Sequence, residues 1–344
     1  MPAIAVAEAA LAGGYASKVL FVGAANGLEK KLVPTFGFTI ETLPAGRVRG
    51  MSAITKIKGL SGLAASVPAA IMLLKRFGAD VVVGTGGYAS APTLVAANLL
   101  GLRTVVLEQN TIPGTTTRLL SRVAREICIS FPMTSGYLPS WKVHLTGNPV
   151  RDTFVKAGER RLQKGKNESF NILVLGGSQG ALFLNSEVAA CLAQFARLHP
   201  DVTVLHQAGG GRTDEAAGAY DGLANCRVAG FIDDVASHLE EADLVVSRAG
   251  ATTVAELGVV GVPSILIPFP FATDNHQEWN ARALENAGAA RLYLQHNFRD
   301  ERFLEELEAL RGKPGELERM EEGARQAGVP DAAFRVMDVV RGGK

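Results

Sequence analysis

Phe170-Asn171-Ile172-Leu173-Val174-Leu175-Gly176-Gly177-Ser178-Gln179-Gly180-Ala181 is a short apolar, β-branched run that ends in a glycine turn and passes straight into a helical stretch, Ala181–Leu198. Strand, tight turn, helix is the repeating unit of a parallel sheet covered on both faces. The unit recurs in both directions along the chain. Ahead of it, candidate strands are Lys18–Gly23, Phe38–Leu43, Asp80–Gly84, Arg103–Leu107, Glu126–Ser130 and Lys142–Thr146. After it come Val202–His206, Arg227–Ala229, Asp243–Ser247, Pro263–Ile267 and Ala290–Leu294. Amphipathic stretches such as Ala91–Leu100, Thr252–Val260 and Asn275–Ala287 lie between them. The fold class expected is α/β, with two Rossmann-like, doubly wound parallel-sheet domains of about six strands each facing across a cleft.

The composition permits this. The chain has 344 residues, 47% hydrophobic and 20% charged, which is enough for two cores and far from a disordered profile. A net charge of +1 argues against wholesale nucleic-acid binding, so no nucleic-acid partner is expected. The 38 glycines gather beside β-branched runs, as in α/β proteins that hold phosphates on their loops. Cys128, Cys191 and Cys226 are scattered and form neither a disulfide framework nor a CxxC pair, which suits a reducing compartment. Residues 1–12 lack the basic start of a signal peptide. The apolar stretch Leu257 to Phe271 is broken by glycines and prolines and, at about 15 residues, falls short of the ~20 that span a bilayer. A soluble or membrane-peripheral protein is expected.

The join between domains is Thr146-Gly147-Asn148-Pro149-Val150-Arg151. The expected domains are 1–147 and 148–328, followed by a C-terminal helix over 329–344 that is free to pack back on the first domain. Lys156 to Glu168 is rich in charge and short of large apolar residues, so it reads as a linker or exposed turn. The tail from Asp300 is helical, charged, and divided by Pro314 and Pro330.

Three glycine-rich turns follow strands: Gly84 to Pro92, Gly176 to Ala181, and Ser247 to Glu256. Glycine lets a backbone approach an anion, and the helix that follows offers free N–H groups and its positive dipole end. Any one of them is what a tight turn needs anyway. Three of them point to a phosphorylated ligand. None matches GxxxxGK[ST] or a full GxGxxG, which disfavours ATP hydrolysis and NAD chemistry. Glu256 has two readings: the last member of a capping box begun by Thr253, or an acceptor for two ribose hydroxyls. Asp274 to Asn280 is a polar run that suits a sugar's hydroxyls, or else an ordinary helix start capped by Asp274 with Trp279 in the core. The histidines lie on separate elements and no DxD triplet occurs, so no metal site and no cofactor are expected. From Thr42 to Ala79 there is no acidic residue, while Arg47, Arg49, Lys56 and Lys58 flank Met51, Ile54 and Ile57 at helical spacing. Such a segment suits an anionic membrane surface or is a solvated helix face.

Several motifs, taken together and in order, resemble a known family. Gly86-Gly87-Tyr88, Glu108-Gln109-Asn110, Gly147-Asn148-Pro149-Val150-Arg151, Gly176-Gly177-Ser178-Gln179-Gly180, Phe231-Ile232-Asp233-Asp234, Arg248-Ala249-Gly250-Ala251 and His276-Gln277-Glu278-Trp279-Asn280-Ala281 follow the order seen in MurG, the peptidoglycan N-acetylglucosaminyltransferases of GT-B fold. The resemblance covers essentially the whole chain. It implies an inverting, metal-independent transfer of GlcNAc from UDP-GlcNAc to the C4 hydroxyl of undecaprenyl-pyrophosphoryl-MurNAc-pentapeptide (lipid I), giving lipid II. The partners implied are UDP-GlcNAc, lipid I and an anionic membrane surface, at the cytoplasmic face of the inner membrane. Carried over by position, Ile232 offers its backbone to uracil, Glu256 holds the ribose hydroxyls, and Ser178 with Ala251, Thr252, Thr253 and Val254 contacts the diphosphate, Ala255 lying beside them. Gln277 and His276 read the GlcNAc hydroxyls, and Asn110 and Arg151 match the remaining donor positions. Gly86, Gly87 and Tyr88 face the acceptor's pyrophosphate, and Arg47, Arg49, Met51, Ile54, Lys56, Ile57 and Lys58 form the membrane patch.

Two departures stand out. Leu107 occupies the place of a histidine in many relatives. The family also opens with a strand and a GGTGGH-type loop ahead of a Pro-Ala-rich helix, whereas this sequence begins at that helix, Met1-Pro2-Ala3. The loop's histidine is the family's leading base candidate, which leaves Glu108 as a substitute here. The expectation drawn is that the chain as written is a poor enzyme whose native form starts upstream. Two alternatives remain at this stage: a nucleotide-sugar-binding protein without catalysis, such as half of a split transferase, and a related transferase with another lipid acceptor.

Overall fold

The computed structural model describes residues 1–25, 27–43, 66–87, 90–163, 165, 168–177 and 179–342. They form two compact units, residues 1–151 with 331–344, and residues 152–330.

The second unit carries β7 (Phe170–Leu175), β8 (Val202–Gln207), β9 (Cys226–Ala229), β10 (Leu244–Ser247), β11 (Ser264–Leu266) and β12 (Ala290–Leu292). They make one parallel sheet in the order β12-β11-β10-β7-β8-β9, with Leu244 opposite Ile172 and Ser247 opposite Leu175. Ile172 and Val174 join a core with Leu184, Leu192, Phe195 and Phe303. Leu173 and Leu175 alternate with them, point to the opposite face, and are also buried. Burial on both faces explains why these strands read as unbroken apolar runs.

Around the sheet lie α6 (Asp152–Gln163), α7 (Ala189–Leu198), α8 (Thr213–Ala217), α9 (Val235–Glu241), α10 (Ala251–Val260), α11 (His276–Asn286), α12 (Asp300–Gly312) and α13 (Pro314–Ala327). A π-helical turn, Leu184–Val188, leads into α7. The expected linker from Lys156 is corrected, because most of it is α6. Its buried stripe is narrow, namely Phe154, Ala157 and Gly158, and its charges are used in pairs. Lys156 meets Asp152, Arg160 meets Glu240, and Arg161 donates to the carbonyls of Glu240 and Ala242 at the end of α9.

The first unit holds α1 (Pro2–Ala12), β1 (Leu20–Ala24), α2 (Glu29–Thr35), β2 (Thr39–Leu43), a helix α3 described over 66–77, β3 (Val81–Gly84), α4 (Ser90–Leu99), β4 (Arg103–Glu108), α5 (Thr115–Val123), β5 (Glu126–Ile129) and β6 (Val143–Leu145). The single sheet of about six strands expected here is instead two sheets, β1-β2 and β3-β4-β5-β6, all neighbours parallel. Among the described residues β1 pairs only with β2, and β3 only with β4. Between β1 and β3 lies an apolar slot of about 250 Å³ lined by both strands, including Phe21, Val22, Val82 and Val83, and by Ala7 and Leu94. The last helix, α14 (Ala332–Arg341), returns to this unit. Val336, Met337 and Val340 share a core with Ala5, Val6, Val105 and Leu107. Arg103 Nη2 donates to the Val339 carbonyl at 2.9 Å. No helix among the described residues is long and apolar enough to cross a membrane.

Candidate functional site

In the second unit the strands run outward from β7 in one direction and from β10 in the other. Such a reversal opens a crevice at the carboxyl ends of the two central strands, where open α/β sheets take their ligands. Both glycine turns of this unit stand there, 176–180 after β7 and 248–250 after β10.

The α10 helix starts at Ala251, with Gly250 as its N-cap and no side-chain cap bond. First-turn amides have no intrahelical partner, so this end is suited to an anion. The capping-box reading of Thr253 and Glu256 is thereby corrected: Thr253 is already inside the helix, and Glu256 lies a turn further on, half-buried. Ile232 is buried in the loop after β9, and Asp234 caps α9 by accepting from the Ser237 amide at 3.1 Å.

The polar run begins with two consecutive residues in the left-handed region, Asp274 (φ 53°) and Asn275 (φ 52°). Non-glycine residues held there store strain, a feature that clusters at ligand sites. Asn275, not Asp274, is the N-cap of α11, and Trp279 is 38% exposed rather than in the core. The register follows from Asn280, which is buried and donates to the Ala249 carbonyl at 3.2 Å, leaving Trp279 turned outward. Phe269 N–H donates to Gln277 Oε1 at 3.0 Å, so the oxygen is engaged by the backbone and the amide nitrogen remains as the donor end of the side chain. His276 Nδ1 lies 2.7 Å from the Thr273 carbonyl; because a carbonyl only accepts, Nδ1 carries the proton and Nε2 is the acceptor in the neutral ring.

Arg248 ties these pieces together. Its Nη1 donates to the carbonyls of Ile267 (3.0 Å) and Pro268 (3.1 Å), its Nη2 to Gln295 Oε1 (3.1 Å), and its guanidinium lies over the Phe269 ring. Burial alone pulls its pKa down to about 10. Among the described residues no carboxylate pairs with it, so it is a desolvated positive charge at the mouth of the crevice. The sequence marked the motif around Arg248 but not this role, which depends on carbonyls contributed from residues 267 and 268.

In the first unit, Glu108 is 3% exposed and fully engaged. Its Oε1 accepts from the Asn110 backbone (3.0 Å) and side chain (3.2 Å), and its Oε2 from the Gly114 amide (3.2 Å). A carboxylate so occupied shapes the 109–114 loop. Asn110 is thus held by Glu108, and its carbonyl accepts from Thr134 Oγ1 at 3.2 Å. Gly86 and Gly87 both have positive φ, +80° and +77°, at the turn leading to α4, and Ser90 Oγ donates to the Gly86 carbonyl. Arg151 stacks over Phe36 at 5.4 Å. Ser178, Tyr88 and the segment Arg47, Arg49, Met51, Ile54, Lys56, Ile57 and Lys58 lie outside the described residues.

Comparison with known proteins follows the same division. The glycosyltransferase family 28 N-terminal domain model matches residues 1–129, and the C-terminal domain model residues 171–336. The UDP-N-acetylglucosamine--N-acetylmuramyl-(pentapeptide) pyrophosphoryl-undecaprenol N-acetylglucosamine transferase of Shewanella amazonensis is 40% identical over 345 residues, covering 99% of this chain and 93% of that protein. The enzyme of the same name from Myxococcus xanthus is 38% identical over 343 residues, covering 98% and 88%. The crystal structure of Acinetobacter baumannii MurG superposes with a TM-score of 0.77 at 31% identity, covering 99% of this chain and 95% of that one. The UDP-GlcNAc 2-epimerase of Neisseria meningitidis shares the fold alone, with a TM-score of 0.71 at 14% identity.

Proposed function

The chain belongs to the MurG family of GT-B glycosyltransferases, and from that premise we propose that it transfers GlcNAc from UDP-GlcNAc to the C4 hydroxyl of lipid I, forming lipid II for peptidoglycan. The observation that carries the reading is the crevice between the ends of β7 and β10. There a glycine turn, a helix end without a side-chain cap and an acidic residue one turn further on suit a phosphorylated ribose. The Ile232 backbone meets uracil, Glu256 accepts from the ribose hydroxyls, and Ser178 with Ala251–Val254 binds the diphosphate, flanked by Ala255. His276 and Gln277 read the sugar, their Nε2 atoms offering one acceptor and one donor set. Asn110 and Arg151 complete the donor contacts.

Acceptor binding falls to the first domain, with Gly86, Gly87 and Tyr88 at its pyrophosphate. Arg47, Arg49, Met51, Ile54, Lys56, Ile57 and Lys58 seat the protein peripherally on the anionic cytoplasmic face of the membrane. Transfer is one in-line displacement. The acceptor oxygen bonds to the anomeric carbon as the bond to UDP breaks, so configuration inverts, and the hydroxyl proton leaves to a general base, for which Glu108 is the candidate. The first turn of α10 and the Arg248 guanidinium meet the charge growing on the diphosphate, so the reaction needs no metal ion.

The test is incubation of the purified protein with lipid I and radiolabelled UDP-GlcNAc, with and without EDTA. Labelled lipid II bearing a β-linked GlcNAc, formed equally in EDTA, is the expected result. Binding of UDP-GlcNAc without any transfer would favour the non-catalytic binder, and an α-linked product would exclude inversion.

A further inference from the structure

The turns that follow β7 and β8 interlock without room for a side chain. A Cβ on Gly180 would stand 2.2 Å from the Ala208 carbonyl oxygen and 2.7 Å from Arg212 Cδ, and one on Gly209 would stand 2.3 Å from Gly180 N. Arg212 therefore lies directly over the end of the 176–180 turn. Its own aim is set from behind. Arg212 Nη1 donates to Glu215 Oε1 at 2.9 Å, and Asn185 Nδ2 donates to Glu215 Oε2 at 2.9 Å and to the Ala208 carbonyl at 3.0 Å. Asn185 Oδ1 is then the acceptor for His206 Nε2 at 3.1 Å, which leaves His206 Nδ1 to accept from the Tyr220 hydroxyl at 3.0 Å. Every donor and acceptor in the series Tyr220, His206, Asn185, Glu215, Arg212 is fixed in direction. Asn185 and His206 are fully buried, and Asn185 projects from the π-helical turn, an irregularity that recurs at functional sites.

A surface pair three residues apart in sequence would need none of this. We propose that Arg212 is a ligand of the donor's diphosphate, held over the 176–180 turn by Glu215 and Asn185, with Asn185 as a positioning residue that acts through it. The ligand class is a nucleoside diphosphate: among the described residues the guanidinium spends one nitrogen on Glu215, and its remaining N–H groups suit phosphate oxygens. The inference rests on the donor reading given above and adds a residue to it.

Calorimetry on the full chain with uridine, UMP, UDP and UDP-GlcNAc tests it. In Arg212→Ala the affinities for UDP and UDP-GlcNAc should fall about tenfold while uridine binding stays the same, and Arg212→Lys should recover part of the loss. Asn185→Ala should weaken UDP binding in the wild-type background and have no further effect beside Arg212→Ala, whereas a merely structural role would cost the same in both. Should that variant fail to fold, Asn185→Ser enters the same cycle. An unchanged ratio of UDP to uridine affinity in Arg212→Ala overturns the assignment. A wild-type protein that binds neither UDP nor UDP-GlcNAc overturns the donor reading itself, and this with it.

Discussion

Glu256 sits on the second turn of α10, beyond the N3 position that a capping box uses. Replacing it with alanine should weaken UDP-GlcNAc binding by about 2–3 kcal/mol, the worth of two hydrogen bonds to a charged acceptor, whatever it does to the melting temperature. Calorimetry beside a thermal melt reads both; a lowered melting temperature with unchanged affinity would return Glu256 to a structural role. His206 predicts a pH effect. Burial lowers its pKa from 6.5 to about 4, so between those values the unfolded chain binds the proton and the folded one does not. Stability is thus full above pH 6.5 and lost as the pH falls toward 4, on the order of 2 kcal/mol between pH 7 and pH 5. Unfolding free energies from urea melts at the two pH values should differ by this amount, and the difference should vanish in His206→Gln. At this scale the sequence was half legible. Glu256 stood out as an acid beside a glycine turn, but choosing between cap and ligand requires knowing where the helix starts. Arg248 was missed because its partners come from distant loops, and Arg212 because Asn185, which holds its neighbour Glu215, is distant in sequence, although the Gly209-Gly210-Gly211 run just before Arg212 was a visible signal of a tight backbone approach.

Among the elements, α6 and α10 cross so closely that a Cβ on Gly158 would stand 2.5 Å from the Val259 carbonyl oxygen. Helix propensity favours alanine over glycine by up to about 1 kcal/mol. Contact decides the other way, and Gly158→Ala should destabilise the second unit by about 1–3 kcal/mol as the helices part. Gly315, in α13, meets nothing within 4 Å, so Gly315→Ala should be neutral or slightly stabilising. Urea melts of the two variants make the comparison, and a gain for Gly158→Ala would mean that the crossing is looser than drawn. Strands were the most legible elements because burial on both faces leaves an uninterrupted β-branched run, as in Phe170–Leu175. The α6 helix was not legible, because its buried stripe consists of one phenylalanine and two small residues, and its charges are consumed by neighbours seen only in three dimensions.

At the scale of the molecule, two units with separate cores should respond separately to ligand. UDP at a hundred times its dissociation constant should stabilise residues 152–330 by about 2.7 kcal/mol. Hydrogen exchange followed by mass spectrometry should show protection spreading through peptides around 176–180 and 248–256, with peptides from 1–43 unaffected. Equal protection in both units would assign the nucleotide differently. The α/β class and the count of strands were readable from the rhythm of apolar runs and glycine turns, whereas the splitting of the first unit's strands into two sheets was legible only through the family resemblance, in which a further strand ahead of α1 lies mid-sheet. That split matters once the protein is concentrated. Among the described residues, β1 and β3 each turn an edge without a strand partner toward the apolar slot, a template for any extended segment of a neighbouring molecule. Loss of soluble protein on warming should then be bimolecular, with turbidity growing as the square of concentration, and Ala7→Leu, which narrows the slot, should slow it without altering UDP affinity. A turbidity rate that is merely proportional to concentration would show the edges to be shielded, and the shelf life of the purified protein would then depend on its slowest unfolding step instead.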